Sequence, residues 1–299
     1  MLDAGLCAQI ACIWEATARK PGNVHRYCDF ADSTYADFLL SAAAIAPVMA
    51  RACQQRIGAT ILDAVRATRR VTGTNTNLGI VLLLAPLAAV PLPLSPPNWE
   101  GDKRGRLRNG VERVLAGLDV EDARLAYEAI RLAAPGGLGR VAEQDVHEEP
   151  TQTLRQVMAL AAERDLIARQ YANGFTEVFE DGVPALLTGL QRTGSIEGAI
   201  IFAHLHMMAH HPDTLIARKR GWAEAEEAAR RAKVVLDAGW TELDGFDAWL
   251  REQGHARNPG ATADLLTACL FVLLREDTIT LPPPWPWTAR TFGPSGVSE

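Results

Sequence analysis

Thr72-Gly73-Thr74-Asn75-Thr76-Asn77-Leu78-Gly79 runs without a break into Ile80-Val81-Leu82-Leu83-Leu84-Ala85-Pro86-Leu87. Small polar, turn-forming residues come first and a strongly apolar run follows. The pattern predicts a polar loop that delivers a helix into a protein core. Thr74, Asn75, Thr76 and Asn77 can each cap that helix, because a short side-chain oxygen reaches the free N–H groups of the first turn. A helix N-terminus that faces inward is also a place to hold an anion. Taken alone, the stretch reads as a capped core helix.

Outward from it, the chain alternates apolar helical stripes with small polar loops. Leu2, Leu6, Ile10, Ile13 and Trp14 recur at helical spacing, and Lys20-Pro21-Gly22 stops that helix. Residues 37–55 predict an Ala-rich second helix, broken by Gly58, with Thr60 capping a short helix through Arg69. Further helices are expected over 111–134, 151–171, 196–210 (capped by Ser195), then a charged one ending near Gly239, and over 246–251 and 262–274. The stretches 91–105 and 135–139 read as surface loops. With no alternating strand pattern and no fixed repeat, the expected class is all-α. It is a single-domain multi-helix bundle over 1–279, with the site in loops at one end of the helices. Residues 280–299 form a Pro/Trp-rich surface tail.

The 299 residues are 48% hydrophobic, enough for a sizeable core, and the net charge of -6 leaves no electrostatic footprint for nucleic acid or an anionic membrane. Cys7, Cys12, Cys28, Cys53 and Cys269 include no C-x-x-C pair, which fits buried thiols in a reducing compartment. The apolar run 78–94 is slightly short for a membrane span and is broken by Pro86, Pro91 and Pro93. A cytoplasmic protein is expected, with a homo-oligomer left open.

Four loops hold the residues that can do chemistry. They are 20–25 with Asp29 and Asp32, the opening stretch, 211–214 followed by Arg218-Lys219-Arg220, and 258–264. Loops of this kind converge at one end of a bundle and line a cleft. Their asparagine, threonine, aspartate, lysine and arginine side chains suit a magnesium-bound polyphosphate, through hard oxygen ligands, cations and backbone N–H groups.

On these residues the chain resembles the triphosphoribosyl-dephospho-coenzyme A synthase family. The resemblance spans about Glu15 to Leu274. Its motifs are Lys20-Pro21-Gly22; Asp32 ahead of Asp37-Phe38 and Ser41-Ala42; Gly73, Asn75, Thr76 and Gly79; Asp213-Thr214; and Pro259-Gly260 with Ala263-Asp264-Leu265-Leu266. The resemblance implies a helical transferase that uses ATP and 3′-dephospho-coenzyme A. Adenine is displaced from C1 of the ATP ribose, and that carbon is joined to the acceptor's 2′-hydroxyl. It implies Mg2+, with Asp32 and Asp213 as catalytic residues and Asp32, Asp213 and Asp264 as metal ligands. Lys20, Gly22, Asn75, Thr76, Gly79, Thr214 and Lys219 are the implied substrate and phosphate contacts. The chain departs from the family pattern at Phe30, Asn77-Leu78, Leu215 and Lys219-Arg220-Gly221. These departures suggest a divergent branch with another nucleotide or acceptor, linked to tetrahydromethanopterin biosynthesis. A helical nucleotide-binding protein without catalysis, and a hydrolase of N-glycosidic bonds, are the other readings.

Each residue has a plainer reading. Asp32 and Asp213 can be helix caps, Lys20 can meet Glu15 instead of phosphate, and Arg218-Lys219-Arg220 can be a solvated helix face. Asp29 is read as a cap. Asp145, His147, Glu148 and Glu149 are read as a solvated acidic loop. His206 and His210, four apart, could share a metal, but a surface or cleft-rim role is preferred.

Overall fold

The computed structural model describes residues 2–91, 105–134, 143–279 and 281–283. The Pro-rich connection beyond Pro91, the Gly136-Gly137 loop and most of the Pro/Trp-rich tail lie outside the described residues. Among the described residues there is no β-strand, only one isolated bridge between His25 and Cys28. The protein is all-α.

The helices, in chain order, are α1 (Ala4–Thr17), α2 (Tyr35–Met49), α3 (Ile57–Arg69), α4 (Leu78–Ala88), α5 (Arg106–Ala116), α6 (Val120–Ala133) and α7 (Leu154–Ala161). There follow α8 (Leu166–Asn173), α9 (Val183–Thr193), α10 (Ile196–His210), α11 (Thr214–Arg220), α12 (Trp222–Asp237), α13 (Leu243–Arg251) and α14 (Gly260–Arg275). The core is built round α4 and α14, which pack on each other. Ten of the eleven residues of α4 are buried, and α14 is buried nearly throughout. Apolar burial at about 1.5–3 kcal/mol per large side chain makes α4 a central strut. Pro86 lies inside α4 and lacks an N–H, so the Leu82 carbonyl has no helical donor. The Tyr171 hydroxyl of α8 donates to that carbonyl at 2.6 Å, inside the core. A smaller core lies between α10, α11, α12 and α13, around Ile201, Leu205, Ile216 and Phe246.

Three expectations change. Gly58 does not break a helix: it lies inside α3, where a Cβ would meet the Asp122 backbone oxygen at 2.6 Å, so it permits close α3–α6 packing. Thr60 is accordingly an interior residue of α3, not its cap. The stretch 111–134 is two helices, parted at Gly117 and restarted by a capping box on Asp119 and Asp122. The stretch 151–171 is likewise two, because Asp165 accepts from the N–H groups of Ile167 and Ala168 at 2.8 and 3.1 Å and starts α8. That second break brings Asp165 to the site.

Candidate active site

Residues from all four loops line one cavity of about 660 Å³. Its walls carry the first turns of three helices: Leu78 and Gly79 of α4, Ile167 and Ala168 of α8, and Gly260, Ala261 and Ala263 of α14. Three helix N-termini at one space give a positive local field, the physical basis of an anion site, although the first N–H groups of α8 are already held by Thr214 and Asp165. Arg164, Arg218 and Lys219 add side-chain cations to the same cavity.

The α4 end is built as its sequence predicts. The Asn75 side chain accepts from the Leu78 N–H at 3.1 Å. Thr76 shares a 2.6 Å hydrogen bond with Ser41 of α2, and Asn77 donates to Thr68 of α3 at 3.0 Å. Asn75 therefore caps the helix, while Thr76 and Asn77 anchor the loop. Leu78, buried, puts an alkyl group on the cavity wall.

Gly79 and Asp264 meet there. A Cβ on Gly79 would lie 2.0 Å from Asp264 Oδ2, so only glycine lets α14 bring this carboxyl against the start of α4. Asp264 makes no side-chain hydrogen bond or ion pair with a described residue. Burial, together with the nearby carboxylates of Glu15, Asp213 and Asp165, raises its pKa well above the usual value. Arg218 opposes this and also pairs with Asp165 at 3.7 Å. Burial and the neighbouring carboxylates thus favour its neutral form over the charged one.

Asp32 is exposed at the rim, where both oxygens lie 3.2 Å from His255 Nδ1. The Asn23–Ser33 loop that carries it is fixed by Arg251, which donates to the Asn23 carbonyl at 2.5 Å, and by Arg26, which grips Glu197 of α10 with two hydrogen bonds. Lys219 donates to the His255 carbonyl at 3.1 Å. Desolvation and the adjacent Arg218 pull its ammonium below the usual lysine range. Thr214 lines the cavity and accepts from the Leu166 N–H at 3.1 Å, tying α11 to α8.

Of the residues implied by resemblance, Asp32, Asn75, Thr76, Gly79, Thr214, Lys219 and Asp264 line the cavity, and Lys20, Gly22 and Asp213 do not. Lys20 is fully buried, donates to Glu15 and Ala18 carbonyls and pairs with the Glu15 carboxylate at 3.0 Å. The structural carboxylate is its partner, with burial pushing Lys20 down and Glu15 up. Gly22 has φ 75°, donates its N–H to Asp247 at 2.7 Å and leaves no room for a Cβ against Leu250. Its role is the turn. Asp213 is 1% exposed. One oxygen accepts from the Leu215 and Ile216 N–H groups (2.8 and 3.1 Å), the other from the Thr262 N–H and hydroxyl (both 2.8 Å). It clamps the starts of α11 and α14 together and is neither at the cavity nor free to hold a metal.

Arg164, Asp165 and His255 are cavity residues that the sequence reading missed. Asp165 carried a signal, since an aspartate directly before Leu166-Ile167 is an N-cap pattern. His255 follows a glycine in a charged turn and had none. Asp145 is buried, not solvated. It lines the cavity and accepts from the His147 N–H at 2.9 Å. His210 Nδ1 lies 2.8 Å from the His206 carbonyl, while His206 and His211 each hold one oxygen of Asp181 at 2.7 Å, and His206, His211 and Asp181 do not line the cavity.

The motif order and this geometry agree with the similarity of the chain to known proteins. The profile of the family described as ATP:dephospho-CoA triphosphoribosyl transferase matches residues 1–281. The fold is similar to the crystal structure of an Archaeoglobus fulgidus protein provisionally assigned as a triphosphoribosyl-dephospho-CoA synthase. The TM-score is 0.61 and the identity 27%, over 80% of this chain and 98% of that one. No curated protein sequence matches it. With most of its motifs on one cavity and the profile over nearly its whole length, the chain belongs to the ATP:dephospho-CoA triphosphoribosyl transferase family.

Proposed function

We propose that the protein transfers the triphosphoribosyl group of ATP to the 2′-hydroxyl of 3′-dephospho-coenzyme A and releases adenine. The observation that supports this best is the convergence of three helix N-termini, Arg164, Arg218 and Lys219 on a nucleotide-sized cavity that also holds the unpartnered Asp264 carboxyl. The cations and N–H groups bind the triphosphate, leaving the ribose toward the Asp32 and His255 rim.

The donor set fits Mg2+. Asp264, Asp165, Asn75 and Thr76 offer hard oxygens at one cavity. Among the described residues no three His, Cys, Asp or Glu side chains form a metal cluster. That suits an ion bound through one or two carboxylates with substrate phosphates and water. Asp264 and Asp165 would hold it, and bound there with the nucleotide it would neutralise phosphate charge. Asp32 serves the acceptor side instead. Its carboxylate orients His255 through Nδ1, and His255 Nε2 takes the proton of the attacking hydroxyl. The C1′–N9 bond breaks with its electron pair leaving on adenine, the acceptor oxygen bonds to C1′ through an oxocarbenium-like state, and the proton taken by His255 ends on an adenine nitrogen, so that neutral adenine leaves.

The test is incubation with ATP, Mg2+ and dephospho-coenzyme A, with chromatographic detection of adenine and mass detection of the product. Adenine formed together with a triphosphoribosyl adduct supports the reading. ADP or phosphate without adenine refutes it. Adenine with water alone indicates a hydrolase, and adenine only with a pterin acceptor indicates the one-carbon branch.

A further inference from the structure

The mouth of the cavity carries an aromatic side chain that the steps above do not use. Trp222 opens α12 directly after Gly221, whose φ of 93° lets α11 end and α12 begin at a single residue. It lines the cavity and is 45% exposed. Its side chain makes no hydrogen bond and no ring contact with a described residue. The other tryptophans of α12 and α13 and their junction are covered. Trp249 has the guanidinium groups of Arg231 and Arg257 at 4.4 and 4.1 Å from its ring centre, and Trp240 packs on Phe202. A single exposed apolar residue needs no explanation by itself; this one is set apart by where it stands. Residues on both sides of it hold the turn that carries His255. Lys219, three residues before, donates to the His255 carbonyl at 3.1 Å, and Glu224, two residues after, accepts from Arg257 Nε. Arg257 in turn donates to the Trp249 carbonyl at 2.8 Å. The start of α12 and the turn 252–258 are thus tied together, and Trp222 and His255 share one lip of the cavity.

We infer that Trp222 is the stacking platform for the base of the acceptor nucleotide. This rests on the proposed reaction, in which a nucleoside 2′-hydroxyl gives its proton to His255 Nε2. In such an acceptor the base hangs on C1′, the carbon next to the one that bears the attacking oxygen. An acceptor whose 2′-hydroxyl lies at His255 therefore sets its base beside the same residue, at the rim. A base there needs a planar apolar face, because stacking holds the ring without a hydrogen-bond pattern. Trp222 supplies the largest aromatic face on that lip, and it is open. Phe30, also at the rim, is taken: it meets His255 edge-on at 6.0 Å, and the Arg251 guanidinium covers its ring at 5.5 Å. Tyr127 lines the cavity but is buried, with its hydroxyl donating to the Gln144 carbonyl at 2.6 Å. The base of ATP occupies a different place, since its triphosphate is held by the helix N-termini and cations and both nucleotides are bound at once. Trp222 thus selects a nucleotide acceptor over one that lacks a base.

The test is the rate of adenine release with Mg2+ at varied dephospho-coenzyme A and at varied ATP, by wild type, Trp222→Ala and Trp222→Phe. Calorimetric titration of each protein with dephospho-coenzyme A, and with phosphopantetheine, which lacks the base, runs beside it. Loss of one base–aromatic contact weakens binding about 5- to 100-fold. A KM for dephospho-coenzyme A raised by such a factor in Trp222→Ala and largely restored in Trp222→Phe, with the KM for ATP unchanged, supports the inference. Equal KM values for dephospho-coenzyme A in wild type and Trp222→Ala overturn it and leave the proposed reaction standing. A rise in the KM for ATP alone also overturns it, in favour of the leaving base. So does an affinity for phosphopantetheine that falls in parallel, because the side chain then only shapes the mouth. If Trp222→Ala fails to fold, Trp222→Leu, which keeps apolar bulk without an aromatic face, takes its place against Trp222→Phe. A wild type that releases no adenine refutes the proposed reaction, and calorimetry then decides this point. Dephospho-coenzyme A bound by wild type and Trp222→Phe but weakened in Trp222→Ala sustains the platform; no binding to wild type overturns both.

Discussion

Replacing Asp213 by Asn separates a structural clamp from a catalytic carboxylate. The buried carboxylate accepts four hydrogen bonds, two on each oxygen. The amide keeps one oxygen and turns an N–H toward the donors that the other oxygen served. Either the α11 pair or the Thr262 pair is then left without an acceptor. Two lost charge-assisted hydrogen bonds at about 1.5–3 kcal/mol each give a destabilisation of about 3–6 kcal/mol. At about 2–4 °C per kcal/mol for a chain of this size, Tm drops on the order of 10 °C. Thermal unfolding followed at 222 nm measures this. Adenine release, assayed well below both midpoints, should stay within about tenfold of wild type, since Asp213 does not line the cavity. An Asp213→Asn protein with unchanged Tm and no adenine release would refute the argument and return Asp213 to the catalytic set.

Gly79→Ala places a methyl carbon 2.0 Å from Asp264 Oδ2. It should cost about 1–3 kcal/mol by overpacking, and Gly79→Ala with Asp264→Ala should regain most of that Tm while adenine release stays absent; equal Tm values for wild type and the single variant would contradict the contact. Lys20→Met leaves buried Glu15 without its counter-charge and should lose about 3–5 kcal/mol, recovered in part by adding Glu15→Gln; a normal Tm with tenfold weaker ATP binding would restore a phosphate role. His255→Ala should slow adenine transfer about 100-fold or more with little change in ATP affinity measured by calorimetry, and Asp32→Asn should slow it less; full activity in His255→Ala would remove the proposed base. Asp264 has a raised pKa in the free protein, so the folded chain holds a proton there that the unfolded chain releases. Stability from this group is therefore present near the usual carboxylate pKa and falls as pH rises toward the raised value. Mg2+–ATP must displace that proton, so its affinity should rise with pH across the same window in titration calorimetry, and Asp264→Asn should abolish the slope.

The residues that mark the site sit in short motifs whose chemistry is local. Asn75 caps α4, and Thr76 and Gly79 sit where the loop meets the helix. A capping side chain acts within one turn of its own backbone, so its pattern survives in sequence. The all-α class was legible for the same reason, since apolar spacing repeats every turn. Helix ends inside continuous apolar patterns were not. Asp165 splits 151–171 and Asp119 splits 111–134, because one cap outweighs periodicity on either side of it.

By itself the sequence determined that helices form, that polar loops precede buried ones, and which motifs stand in which order. Only the tertiary structure decided which of those motif residues line the cavity. Lys20, Gly22 and Asp213 carry the residue types expected of a phosphate and metal site. Their ion pair, turn and double cap are made with Glu15, Asp247 and Thr262, and the last two partners are distant in sequence. Asp264 shows the converse. Its lack of a side-chain partner among the described residues, the close approach to Gly79 and the ring of carboxylates come from α1, α4, α14 and the starts of α8 and α11 meeting. A carboxylate's role depends on what surrounds it, and packing alone assembles those surroundings.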